Sequence, residues 1–127
     1  MAIDAAGTDR ICLVTDAMSA TGQGDGRYLL GELEVEVQDG TARLVTADGT
    51  SGSIAGSTLT MAKAFGFVVG RVGLSIPEAA RIAATTPARW HGLEEVGTLE
   101  AGKRADICVV DEAGELQQVW RRGERIR

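Results

Sequence analysis

The feature that most constrains this sequence is a short run near its start. Ile11-Cys12-Leu13-Val14 is a continuous apolar stretch of β-forming residues that ends abruptly at Thr15-Asp16. A strand that is apolar at every position is covered on both faces, which is the pattern of parallel sheets flanked by helices. It needs a parallel neighbour, and the rest of the chain offers no second strand of that kind. The run predicts a buried strand over Ile11 to Asp16 that belongs to a larger sheet and carries an acid at its end.

The remaining pattern is more local. Ser19 to Gly26 holds Gly22, Gly24 and Gly26 and reads as a mobile loop. Beyond Tyr28 the residues alternate, with Leu33, Val35 and Val37 on one face and Glu32, Glu34, Glu36 and Gln38 on the other. Asp39-Gly40 then turns the chain into Ala42-Arg43-Leu44-Val45, a hairpin closed by Ala47-Asp48-Gly49-Thr50. Ser57 or Thr58 can cap a helix through Leu59, Met61, Phe65 and Val69, stopped by Gly70 and Gly73. Ser75, Pro77 and Glu78 mark a second helix start, with a stop before Pro87 and one further turn over Ala88 to Gly92. Ala105 to Val110 and Gln117 to Trp120 form a last pair of strands around Asp111 to Glu115.

Charge and rare residues exclude several functions. Thirteen Lys and Arg against eighteen Asp and Glu give a net charge of -5, which argues against nucleic-acid and anionic-membrane partners. The longest uncharged run, Ser51 to Met61, is too polar to span a bilayer, and no signal pattern opens the chain, so a cytoplasmic location is expected. Cys12 and Cys108 each lie in an apolar run and read as small buried hydrophobes rather than as a disulfide or a metal pair. With one histidine, His91, the chain alone is expected to hold no metal. His91 itself reads as a helix-end residue. Glu32, Glu34 and Glu36 read as a solvated strand face, and the glycines at 22, 24 and 26 lack the strand and helix of a dinucleotide fingerprint.

Three segments stand in fixed order: Leu13-Val14-Thr15-Asp16-Ala17, Ser53-Ile54-Ala55-Gly56-Ser57-Thr58-Leu59-Thr60-Met61, and Gly97-Thr98-Leu99-Glu100-Ala101-Gly102-Lys103-Arg104-Ala105-Asp106. Together they resemble the C-terminal third of an N-acetylglucosamine-6-phosphate deacetylase. The last, with Thr86-Pro87-Ala88-Arg89, is common across the amidohydrolase superfamily; the first two carry the family likeness. The resemblance runs from about Ile11 to the end.

It implies an α/β fold: the C-terminal part of a (β/α)₈ barrel over residues 1–96, with the last strand, an inserted hairpin and helices, followed by strands of a small β-sandwich over 97–127. As an isolated chain this would be an α+β unit. It also implies that Asp16 is the general base and acid at the end of the eighth barrel strand. In the family such an aspartate takes a proton from metal-bound water and protonates the departing amine. Ile54, Ala55, Gly56 and Ser57 map to the loop that contacts the sugar phosphate. The family usually has Ser-Leu-Ser-Gly-Ser-like residues here, so Ile54-Ala55 lose one hydroxyl while backbone contacts would survive, and the N–H groups opening a Ser57 helix suit an anion. The family's divalent metal, zinc foremost, is held by a glutamate and two histidines on earlier strands, and its enzymes are homodimers. Those strands have no counterpart here: Met1 to Arg10 reads as a helix-to-strand connection, with Met1 where an internal start is expected. A barrel takes roughly 200 residues or more, so the chain alone is expected to be inactive without the upstream segment. The alternatives are a self-associating remnant without metal chemistry, joined through apolar surface around Ile11 to Val14, and an amidohydrolase of another amide substrate.

Overall fold

In a computed structural model of the chain, residues 2–127 are described; Met1 lies outside them. They form two compact units, one of Thr15–Thr60 and one of the residues up to Val14 together with Met61–Arg127.

The first unit is an antiparallel meander of β1 (Gly26–Leu30), β2 (Leu33–Gln38), β3 (Thr41–Val45) and β4 (Ser51–Ile54), paired in that order. The Asp39-Gly40 turn forms as expected. Both residues take positive φ, 50° and 71°, and Gln38 pairs with Thr41 across them, the twist that a two-residue hairpin requires. Val35 and Val37 face a core completed by Met18, Ala20, Ala42 and Ala55, with Tyr28 and Leu44 packed at its edge. Leu33, in the same alternation as Val35 and Val37, is nonetheless not buried. It pairs with Leu30 at the hairpin tip, beyond the end of that core, and is 55% exposed. The flanking strands β1 and β4 are not among the expected elements: β1, Gly-Arg-Tyr-Leu-Leu, is too short to show an alternating pattern, and β4, Ser-Gly-Ser-Ile, is mostly glycine and serine.

In the second unit, α1 (Ala2–Ala6) and a 3₁₀ turn (Thr8–Arg10) lead into Ile11–Val14. This segment is extended, with Ile11 at φ -118° and ψ 135°, yet it is not the expected strand. No neighbouring strand among the described residues offers it a ladder, and apolar composition cannot replace one. A helix holds it instead: the Leu13 N–H donates to the Ile82 carbonyl at 2.8 Å. Ile11 and Leu13 pack on a core of Val68, Ala79 and Ile82, while Val14 is 72% exposed.

Helix α2 (Met61–Phe67) continues as a π turn (Val68–Val72) and ends at Gly73, whose φ of 83° lets its N–H reach back to Val68. The start therefore falls later than the Ser57 or Thr58 cap, and Gly70 is passed without a break. Helix α3 (Ile76–Ala80) opens on the expected capping box, the Ser75 and Glu78 side chains each accepting from the other's backbone N–H. The stop before Pro87 is absent. A π turn (Arg81–Thr85) and α4 (Thr86–Trp90) carry the helix through the proline.

The hydrogen bonds explain how. The Thr86 N–H reaches five residues back, to Arg81, and Pro87 has no N–H to give. Both helical donors to Ile82 are thereby lost, and Leu13 takes the vacant carbonyl. The rest of the Thr86-Pro87-Ala88-Arg89 motif acts on the same segment. Thr86, fully buried, donates its hydroxyl to the Thr8 carbonyl at 2.9 Å. Arg89 donates to the Asp9 carbonyl, and the Asp9 carboxylate lies 3.5 Å from Arg81 and 3.9 Å from Arg89.

The chain ends in an antiparallel sheet of β5 (Ile107–Val110), β6 (Leu116–Arg121) and β7 (Glu124–Arg125). Cys108 is exposed on β5 rather than buried, as is its neighbour Val109. Cys12 is half-buried, and both thiols are free.

Candidate functional site

The sequence places its one candidate catalytic acid at Asp16, and the local backbone singles that residue out. Asp16 has φ of 53°, a left-handed conformation uncommon for a residue with a Cβ and least costly for Asp and Asn. Its side chain is exposed. The Asp16 carbonyl accepts the Ser57 N–H at 2.8 Å, and the Ser57 carbonyl accepts the Met18 N–H at 2.8 Å, which makes Ala17 and Ser57 a one-residue parallel bridge. The Thr21 hydroxyl adds a third bond, 3.2 Å to the Ser57 carbonyl. Ala17, one residue beyond the run read as a strand, thus makes a single parallel pair, with Ser57.

The segment bonded to Asp16 is the one read as the substrate loop, so the structure brings the two predicted pieces together. Its four residues are differently engaged. Ile54 ends β4 opposite Arg43 and is 65% exposed. Ala55 is buried in the sheet's core and donates its N–H to Ala42. Gly56 has φ of 76°, and a Cβ built on it would stand 3.1 Å from the Asp16 carbonyl oxygen and 3.3 Å from Met18 Cβ. Ser57 spends its backbone on Asp16 and Met18, while its hydroxyl accepts the Leu59 N–H at 2.8 Å. No helix opens at Ser57, so the anion-binding helix terminus expected there is absent: the N–H that would have faced a ligand is bonded to Asp16. The likeness had placed this loop against substrate; its grip on the backbone of Asp16 carried no signal in composition or spacing.

Among the described residues no group of three or more His, Cys, Asp or Glu side chains is placed to hold a metal ion. The donors present do not fit a self-contained centre, and His91 caps the end of α4, exposed, as a helix-end residue should be. A groove of about 360 Å³ on the four-stranded sheet is lined by Glu36, Arg43 and Ser51, and Asp16 does not line it. The Ala105-Asp106 ending of the third segment has a structural role. The Asp106 carboxylate accepts the Arg122 N–H at 2.8 Å and pairs with Arg104 at 2.6 Å, and these bonds hold it below the usual carboxylate range. No described helix is long and apolar enough to cross a membrane.

Comparison with known proteins adds the family. The amidohydrolase family profile matches residues 2–126, nearly the whole chain. The chain belongs to the amidohydrolase family. Within it, the chain is 40% identical over 117 residues to a putative N-acetylgalactosamine-6-phosphate deacetylase of Escherichia coli strain K12, covering 91% of this chain and 67% of that protein. It is 35% identical over 118 residues to the N-acetylglucosamine-6-phosphate deacetylase of Vibrio furnissii, covering 92% of this chain and 28% of that one. Among solved structures, N-acetylglucosamine-6-phosphate deacetylase from Thermotoga maritima superposes with a TM-score of 0.84 at 35% identity, over 98% of this chain and 33% of that chain. An Asp-to-Ala variant of the Mycobacterium smegmatis deacetylase, in complex with N-acetyl-D-glucosamine-6-phosphate, gives 0.84 at 41% identity over 97% and 32%. The amidohydrolase chain described here therefore spans about a third or less of the length of most of these relatives.

Proposed function

We propose that this chain works as part of an amidohydrolase that removes the acetyl group of N-acetylglucosamine 6-phosphate, giving glucosamine 6-phosphate and acetate. The observation that carries the reading is Asp16: an exposed carboxylate in a left-handed turn, bonded through its backbone to the loop that the family likeness places against substrate. In this reading Asp16 accepts a proton as water attacks the acetamide carbonyl. It returns the proton to the amine as the C–N bond breaks, so a single carboxylate serves as base and then as acid. Ile54 and Ser57 offer the side chains of that loop; Ala55 and Gly56 shape its backbone.

Residues 1–96 would supply the last strand, hairpin and helices of a (β/α)₈ barrel, and 97–127 strands of its small sandwich domain. The divalent metal of the family, with zinc the leading candidate, would be held by upstream residues, because the described donors of this chain do not group to hold one. The enzyme would act in the cytoplasm as a homodimer. Relatives named for the N-acetylgalactosamine ester share as much sequence as those named for the glucosamine one, so both C4 epimers belong in the assay. In the complete enzyme, Asp16→Asn should lower kcat at least ~10²-fold, the scale of a lost general base. Near-normal turnover by that variant would remove Asp16 from the mechanism.

A further inference from the structure

The segment Ile54 to Ser57 is tied to Asp16 more tightly than a loop that only meets substrate needs to be. Three hydrogen bonds join Ser57 to residues 16, 18 and 21, and Ser57 is fixed from both its N–H and its carbonyl. The peptide before it comes so close to Asp16 that a side chain at residue 56 would be crowded. A Cβ there would lie 3.1 Å from the Asp16 carbonyl oxygen, closer than side chains normally come to backbone. Asp16 has little freedom to retreat, because its positive φ sits in a narrow well for a residue with a Cβ and its carbonyl is already bonded to Ser57. A displacement of that carbonyl taken up at the φ of Asp16 swings its Cβ as well, and with it the aim of the carboxylate.

We propose that Gly56 is a positioning residue for Asp16: its lack of a side chain lets the 56–57 peptide hold Asp16 in the left-handed conformation that presents its carboxylate. The proposal rests on the reading of Asp16 as the proton-transferring group. It assigns Gly56 an effect on the chemical step rather than on substrate affinity.

A double-mutant cycle in the complete enzyme, with N-acetylglucosamine 6-phosphate as substrate, tests it. Gly56→Ala should lower kcat roughly 10-fold or more, since sub-ångström to ångström misplacement of a reacting group is felt on that scale, with KM within about 2-fold. In an Asp16→Asn background, where the proton acceptor is gone and Asn keeps the left-handed backbone, Gly56→Ala should cost nothing further. Gly49→Ala provides the control for backbone strain: Gly49 also has positive φ, 81°, but open space around it, and its substitution should leave kcat unchanged. On the chain itself, exchange of the Ser57 amide should quicken in Gly56→Ala and not in Gly49→Ala, which reads the bond to Asp16 without any turnover. A Gly56→Ala effect confined to KM, equal effects in both backgrounds, or an unchanged Ser57 amide would overturn the proposal. An unimpaired Asp16→Asn enzyme would instead overturn the function on which it rests.

Discussion

Gly97 opens the longest of the family-like segments, and its substitution by alanine is the sharpest test of the packing in the helical unit. Its φ is 88°, and a Cβ at this position would stand 2.5 Å from Ala88 Cβ and 3.1 Å from the Ala84 carbonyl oxygen. Neither neighbour is the end of a flexible side chain, so the backbone must move. The Thr85 hydroxyl, bonded to the Gly97 carbonyl at 2.7 Å, resists that movement. The left-handed conformation costs an L-residue about 1–2 kcal/mol, and forcing a methyl into a filled site costs about 1–3 kcal/mol. The sum is about 2–5 kcal/mol, a large share of the stability of an ordinary domain. Gly92→Ala separates the two parts, because Gly92 has φ of 66° and nothing within 4 Å of a built Cβ, so it carries the conformational cost alone. Urea unfolding followed by circular dichroism measures the difference; with about 2 kcal/mol for the overlap alone and a slope of about 2 kcal/mol/M, the Gly97→Ala midpoint should fall about 1 M below that of Gly92→Ala. Ala88→Gly in the Gly97→Ala background should recover part of the loss despite glycine's poor helix propensity. Equal midpoints for the two single variants, or strict additivity in the cycle, would refute the overlap.

Other outcomes follow from the same structure. Thr86→Val keeps the shape of a fully buried side chain but leaves the Thr8 carbonyl without its donor, so unfolding should become about 1–3 kcal/mol easier, with Thr86→Ser milder. The same substitution should speed exchange of the Leu13 amide, read by NMR, if residues 8–13 are held as one clamp. Asp48 should titrate at about 2 in a carboxyl NMR titration, because the Thr46 and Thr50 hydroxyls and the Thr50 N–H bind its ionised form. Its folded value is lowered, so its stabilising contribution is complete above the ordinary carboxylate value of 3.8 and fades as pH falls toward 2. Glu78, lowered by its bonds to Ser75, follows the same sign: the stability difference between the native chain and Glu78→Gln should shrink as pH falls below 4.5.

Local chemistry was legible from residues alone. The Asp39-Gly40 turn, the Ser75-Glu78 cap and the inward Val35 and Val37 each depend on neighbours within a few positions, and each formed as read. Interactions at long separation were not. Leu13 looked like a strand because its composition is that of a strand, but a strand exists only beside a partner, and here the partner is a helix carbonyl. Pro87 looked like a terminator because in an α register it is one; the π turn before it removes the conflict, and nothing in the residues between Arg81 and Thr85 announces that turn. At the candidate site the sequence supplied Asp16 and the 54–57 segment as separate pieces. Their hydrogen-bonded union, and the reason residue 56 is glycine, required coordinates.

The carbonyl that Pro87 leaves open also sets an order of events when the chain is made. The bond from Thr86 to Thr8 spans 78 residues, so at roughly 5–20 residues per second the early segment emerges some 4–16 s before the helix that holds it is finished. Throughout that interval Ile11 and Leu13 have neither their core nor their hydrogen-bond acceptor. Closing so long a loop is also slow in refolding from denaturant. The four-stranded meander β1–β4, in which each strand pairs with its neighbour in the chain, can complete first. A cell expressing this chain should therefore accumulate a half-folded species in which the hairpin sheet is formed and Ile11 and Leu13 are still uncaptured. Chaperone demand should rise with any change, such as Thr86→Val, that delays their capture.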